Sequence, residues 1–410
     1  MSQDITASLL PSSRVDFFAL DEGTAGTARK LGEDWRFARV DVQVTEGGIE
    51  AAIAAYGESG SPEMIIIETN DISDNFIAQL GELAGVCSEG TDAVIIGPMN
   101  DVHLYRSLVG MGVRDYLVRP VSEDDLVNVI AKALVDKRGL SGARLVAVTG
   151  TKGGVGTTTV AQLLAASIAD GLKQKTILMD AAGSSGSLGI AYALEPAAPF
   201  AEAVRLGAAG TEDDMKRIVQ HASENLSLLV CGGEPILADS PGADEVETLV
   251  DRIMQKYPFV VMDLSGASPA VQKRMISRAA HIILVSTPLL PALRNCRTLL
   301  NEVRHLRSGA DDMDIVINMT GMASGEEVSE KDIKLALDFD PRTRIAFAPK
   351  VFNGSEATGK PAAVNKAAGD VMKMILQLAV RAAGVEPEEG EDGKKDSGKG
   401  GFLKMLGKKK

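Results

Sequence analysis

Short apolar runs alternate with helical patterns from Arg14 to about Arg138. RVDFFAL (14–20), RFARVDV (36–42), EMIIIET (63–69), DAVIIG (92–97) and RDYLV (114–118) predict five strands. GIEAAIAAY (48–56), DNFIAQLGELAGV (74–86) and SEDDLVNVIAKALVDK (122–137) carry the helical spacing between them. Nearly continuous apolar strands that alternate with helices predict a parallel, doubly wound sheet. A second series opens at Arg144. Its strand candidates are RLVAVTG, KTILMD, LSLLV, FVVMDL, HIILVST, DIVINM and RIAFA, with helical segments after most of them, and it closes near Ala383. The expectation is an α/β protein of two such domains, 14–138 and 144–384, joined by a Gly/Ser linker at 139–143. Residues 1–13 are expected to be a flexible N-terminus. Residues 385–400, VEPEEGEDGKKDSGKG, hold too few apolar side chains to bury a core. The closing GFLKMLGKKK, 401–410, places Phe402, Leu403, Met405 and Leu406 among Lys404 and Lys408 to Lys410, a short basic amphipathic turn.

Composition narrows the picture. Of the 410 residues 45% are hydrophobic but only 4% aromatic, so the cores are aliphatic. The net charge of -13 argues against nonspecific nucleic-acid binding, which needs clustered Lys and Arg. Cys87, Cys231 and Cys296 are far apart and form no CxxC pair, so they read as small buried hydrophobes rather than a disulfide or zinc framework. The N-terminus lacks a basic segment followed by an apolar one, and no apolar run approaches the ~20 residues that span a bilayer. The expectation is a soluble, cytoplasmic protein.

Chemistry concentrates at residues 146–165, VAVTGTKGGVGTTTVAQLLA. A strand leads into a glycine-rich loop and then a helix, the context a phosphate loop requires. Gly153, Gly154 and Gly156, with Val155 between them, let backbone N–H groups turn toward an anion, and the helix N-terminus adds its positive end. Thr158 is placed to offer a hydroxyl to Mg²⁺, with Thr159 beside it.

The loop resembles the deviant Walker A of MinD/ParA ATPases, K-G-G-x-G-K-T/S. The resemblance implies that Lys152 is the signature lysine, which contacts the partner subunit's nucleotide in an ATP-sandwiched dimer. The second lysine, which grips the β and γ phosphates, is here Thr157. A charge-assisted hydrogen bond contributes about 1.5–3 kcal/mol, so its loss weakens affinity roughly 10–100-fold, a loss that binding survives through the backbone donors, Mg²⁺ and Lys152. The same resemblance makes Asp180 and Asp263 the acids near Mg²⁺ and Asn318 the side chain that reads the adenine edge. A second acid after Asp180, associated with the attacking water, is replaced by Ala182. The pair Thr157 and Ala182 implies a site that binds ATP and Mg²⁺ better than it turns ATP over. Asp180 is the one catalytic candidate.

Residues 14–138 resemble a response-regulator receiver without its chemistry. Glu68 stands in the place of the phospho-accepting Asp, Gly97 in that of Ser or Thr, and Arg119 in that of Lys, while Asp21 and Glu22 align with the acidic Mg²⁺ positions. A decayed receiver fused to a MinD/ParA-like domain is similar to the TadZ/CpaE family of Tad (Flp) pilus assembly proteins. That resemblance implies a nucleotide-dependent homodimer at the cell pole that recruits pilus secretion components through a polar landmark. The tail, through Phe402, Leu403, Lys404 and Leu406, is a candidate membrane or partner contact. The alternative is a cycling ATPase in which Lys152 compensates for Thr157.

Overall fold

The computed structural model describes residues 10–384 apart from 12, 59, 89, 138–142, 184–185, 233–239 and 308–311. The expected N-terminal segment 1–9, nearly all of the linker, residues 385–400 and the tail with Phe402, Leu403, Lys404 and Leu406 lie outside the described residues. The chain divides into two compact units, Met1–Ser141 and Gly142–Lys410.

Five parallel strands build the first sheet: β1 (Ser13–Ala19), β2 (Val40–Glu46), β3 (Met64–Glu68), β4 (Asp92–Gly97) and β5 (Asp115–Val118). Their order is β2-β1-β3-β4-β5, a doubly wound arrangement whose direction reverses beside β1. Alternate residues feed two cores. Val15, Phe17, Met64, Ile66, Val94 and Ile96 pack under the helices 22–30 and 123–137. Phe18, Ile65, Ile67 and Ile95 pack on the other face.

This unit departs from the sequence pattern in two ways. The second strand begins at Val40, later than the expected 36, because Asp34 caps a tight turn at Trp35–Phe37. Its Oδ1 accepts from the Arg36 N–H at 2.8 Å, and Phe37 is buried. Two further helices form: Glu22–Lys30, which carries no apolar stripe, and Val102–Gly110, whose apolar positions are largely exposed and bury only Leu108. Asp21 and Asp101 cap them.

The second sheet has eight strands: β6 (Arg144–Gly150), β7 (Thr176–Asp180), β8 (Gln220–His221), β9 (Leu226–Leu229), β10 (Phe259–Asp263), β11 (His281–Ser286), β12 (Met313–Thr320) and β13 (Thr343–Ala346). Their order is β13-β12-β11-β6-β10-β7-β9-β8. All pairs are parallel except β8 with β9. The central β6 lies between β10 and β11, so the loop after it opens at the switch point where α/β sheets bind ligands. Val146, Val148 and Val261 pack against the helices Thr157–Ala166 and Gly369–Ala383.

Candidate nucleotide-binding site

β6 ends at Gly150 and the helix Thr157–Ala166 begins immediately after Gly156. Gly154 and Gly156 have φ of 80° and 88°, in the left-handed region that favours glycine. A Cβ on Gly156 would also collide with the Asn318 side chain, so this position has no room for another residue. The loop lines a cavity of about 410 Å³ whose wall includes Thr149, Lys152, Gly153, Thr158, Ser265 and Gln272. Backbone N–H groups at a glycine loop and a helix N-terminus form an anion cradle.

Of the sequence-predicted residues of this unit, Lys152, Gly153, Gly154, Gly156, Thr157 and Thr158 line that cavity, whereas Thr159 and Asn318 line a second one. Lys152 is exposed, and its Nζ donates to the Gly153 carbonyl at 3.2 Å. Val155 is buried and anchors the loop, and its carbonyl accepts from Asn318 Nδ2 at 2.8 Å. Asn318 Oδ1 accepts from the Met319 N–H at 2.9 Å, so both ends of that amide are engaged within the protein. Thr157 is 5% exposed and packs its hydroxyl against Gly150 at the foot of the loop. Its short side chain ends there, where a lysine's four-carbon stem would extend along the cradle. Thr158 Oγ1 is 2.9 Å from Ser265 Oγ.

Asp180 and Asp263 end the neighbouring strands β7 and β10 in register, and each is 1% exposed. Asp180 Oδ1 accepts from the Ala182 N–H at 2.9 Å. Asp263 Oδ1 accepts from the Ser265 N–H at 3.0 Å, and its buried Oδ2 has no hydrogen-bond partner among the described residues. Burial pushes the Asp263 carboxyl above the usual carboxylate range, against the opposing pull of the Thr158 and Ser265 hydroxyls. A divalent cation supplies the missing charge at such an oxygen. Among the described residues no three His, Cys, Asp or Glu side chains cluster as a metal site. The donor set fits Mg²⁺, which takes one or two carboxylates and a hydroxyl and completes its shell with water and phosphate.

A second cavity, of about 200 Å³, opens on the far side of the same helix. Thr159, Leu163, Asn318, Phe347, Pro349 and Phe352 contribute to its wall. Apart from Thr159 and Asn318, sequence reasoning missed this wall. The signal was the apolar run past β13, FAPKVF, whose proline opens the helix Pro349–Thr358.

In the first unit Glu68 is 1% exposed and fully engaged. Its Oε2 accepts from the backbone N–H groups of Leu20 at 2.7 Å and Asp21 at 3.1 Å. Its Oε1 accepts from Thr24 Oγ1 at 3.0 Å and from Arg119 at 3.0 Å. Arg119 also donates to Asp21 Oδ2 and to the Thr69 carbonyl, each at 3.3 Å. Asp21 is held below its ordinary pKa, first by the Thr24 N–H that it accepts. Glu22 pairs instead with Arg29, on the surface. At Gly97 a Cβ would stand 2.5 Å from the Tyr116 hydroxyl, which donates to the Met99 carbonyl at 2.9 Å. Arg119–Pro120 is a cis peptide.

These two sites frame the comparison with known proteins. The family model of the cellulose biosynthesis protein BcsQ matches residues 143–325. The septum site-determining protein MinD of Synechocystis is 27% identical over 152 residues, 37% of this chain and 56% of that protein. The chain thus spans about half the length of that curated relative. The solved pilus assembly protein CpaE of Caulobacter crescentus is 31% identical over 31% of this chain and 97% of that one, with a TM-score of 0.30. The sequence identity runs through nearly all of the solved chain. This chain belongs to the CpaE family. A ParA family ATPase from Chlorobium tepidum is 18% identical over 58% of this CpaE-family chain and 98% of its own, with a TM-score of 0.52, and shares the fold.

Proposed function

We propose that the second unit binds ATP with Mg²⁺ as a dimerisation switch and turns it over slowly or not at all. The observation that carries this reading is the orphaned, buried Oδ2 of Asp263 beside Thr158 at the mouth of a glycine cradle. The triphosphate would lie in the larger cavity along the loop N–H groups, where Thr158 and Asp263 would hold Mg²⁺. The base lies in the smaller cavity beside the same helix, whose wall offers both apolar side chains and polar groups. Thr157 contributes no charge to the phosphates, and Ala182 provides no carboxylate to orient water, so neither the transferring phosphoryl group nor its attacker is stabilised. Lys152, exposed at the loop, meets the nucleotide of a second copy.

The CpaE relative is named a pilus assembly protein, and that name supports a role for this chain in positioning pilus assembly components at a cell pole. The receiver-like unit supplies protein contacts. Titration calorimetry with ATP and Mg²⁺, run beside a phosphate-release assay, tests the reading. The expected result is saturable binding with little phosphate release. Rapid turnover that Asp263→Ala abolishes would replace it with a cycling ATPase.

A further inference from the structure

The strand that ends in Asp263 runs on through Leu264 and Ser265 into the helix Pro269–Arg278, and Gln272 stands in the first turn of that helix. Its half-buried side chain lines the cavity of about 410 Å³ together with Lys152, Thr158 and Ser265. Its Nε2 donates to the Leu264 carbonyl at 3.3 Å and to the Ala267 carbonyl at 3.0 Å, which uses both amide hydrogens. The amide is therefore fixed in orientation. What it has left to offer is the acceptor Oε1, to which no described residue donates. The polar wall around it is rich in donors: the loop N–H groups, the Lys152 ammonium and the Thr158 and Ser265 hydroxyls. An amide oxygen in such a cradle is repelled by phosphate oxygens, which are acceptors themselves. A water molecule bonds to both.

We propose that Gln272 is the positioning residue for the water that attacks the terminal phosphate. In that step the water oxygen bonds to the γ-phosphorus as the bond from that phosphorus to the β–γ bridging oxygen breaks. ADP keeps the bridging oxygen with its electron pair, and the proton that the water sheds passes to an oxygen of the released phosphate. An amide oxygen is too weak a base to take that proton. Gln272 therefore places the attacker without activating it, in a role for which Ala182 offers no carboxylate, and turnover stays slow. This inference rests on the nucleotide reading above.

The test is calorimetry of the full chain with Mg²⁺ and each of ATP, ADP, and ADP with aluminium fluoride, which stands for the transferring phosphoryl group with its water in line. Wild type binds the fluoride complex about tenfold or more tighter than ADP. Gln272→Ala removes about tenfold of that preference and leaves ATP affinity unchanged. A side chain that only braced the Leu264 and Ala267 carbonyls would lower both affinities together and leave their ratio unmoved. A wild type without the preference, or a Gln272→Ala protein that keeps it, overturns the assignment, while ATP binding preserves the nucleotide reading. A wild type that binds none of the three ligands overturns both. If Gln272→Ala also loses ATP, Gln272→Met, which keeps the length but not the carbonyl, carries the same comparison as a ratio within that variant. Loss of the preference supports the assignment, and its retention overturns it.

Discussion

Asp263 and Glu68 are buried carboxylates in opposite circumstances. The Asp263 carboxyl is raised in the folded protein, so it binds a proton more readily there than in the unfolded chain. Without Mg²⁺, stability is therefore greatest below the ordinary aspartate range and falls as pH climbs through the raised value. Asp263→Asn is expected to raise the melting temperature at neutral pH in the absence of Mg²⁺, by removing a charge worth about 1–3 kcal/mol of unmet solvation. It is also expected to erase the extra stability that Mg²⁺ and nucleotide give wild type. Scanning calorimetry with and without Mg²⁺ from pH 5 to 8 reads both effects, and a lower melting temperature in the variant would sink the argument. Glu68 holds four donors, so Glu68→Ala takes from Arg119 its buried carboxylate and leaves two backbone N–H groups and the Thr24 hydroxyl without their acceptor. The expected loss is about 3–5 kcal/mol, the scale of breaking a buried pair, seen as an earlier urea transition of the receiver-like unit. Much of this scale was legible in the chain. KGGVGTTT and the strand-end acids announce themselves because phosphate chemistry demands fixed spacing. The wall of the second cavity was not legible, because FAPKVF shows no fixed spacing until the fold brings it beside the phosphate-loop helix.

Elements were read best where apolar side chains were continuous. β3 and β10 are buried at every position, and their sequences, MIIIE and FVVMD, say so. The helix Glu22–Lys30, EGTAGTARK, packs only through Thr24, Ala25 and Ala28, which leave no periodic stripe to detect. The two-residue β8 is likewise too short for a pattern. The edge strand β2 alternates, and its apolar run was traced too early because Phe37 belongs to the capped turn before it. Gly97 links two elements of the first sheet, since the absence of a side chain at the end of β4 makes room for the Tyr116 hydroxyl from β5. Gly97→Thr must expel that ring. The expected outcome is a destabilisation of about 1–3 kcal/mol by overpacking. Denaturant titration measures it, and in a Tyr116→Ala background, which carries its own cost for the lost buried ring, Gly97→Thr should add little further loss.

At the scale of the molecule, the two units divide the labour between a site built for an anion and a site already closed by its own side chains. No described helix is long and apolar enough to cross a membrane. In the proposed switch, dimerisation runs through the loop. Light scattering with ATP and Mg²⁺ is expected to show wild type at twice the chain mass and Lys152→Ala at the single mass, with ATP binding to each chain retained. A Lys152→Ala protein that still doubles its mass would move the interface elsewhere.

The closure of Glu68 has a consequence for what the first unit can report. A receiver relays news because its acid waits empty-handed for a phosphoryl group. Here the acid's hands are already full, held by two backbone N–H groups, Thr24 and Arg119. The electrostatic state of that pocket is written at translation. In the proposed contact role, that unit would therefore present one unvarying surface rather than a switched one.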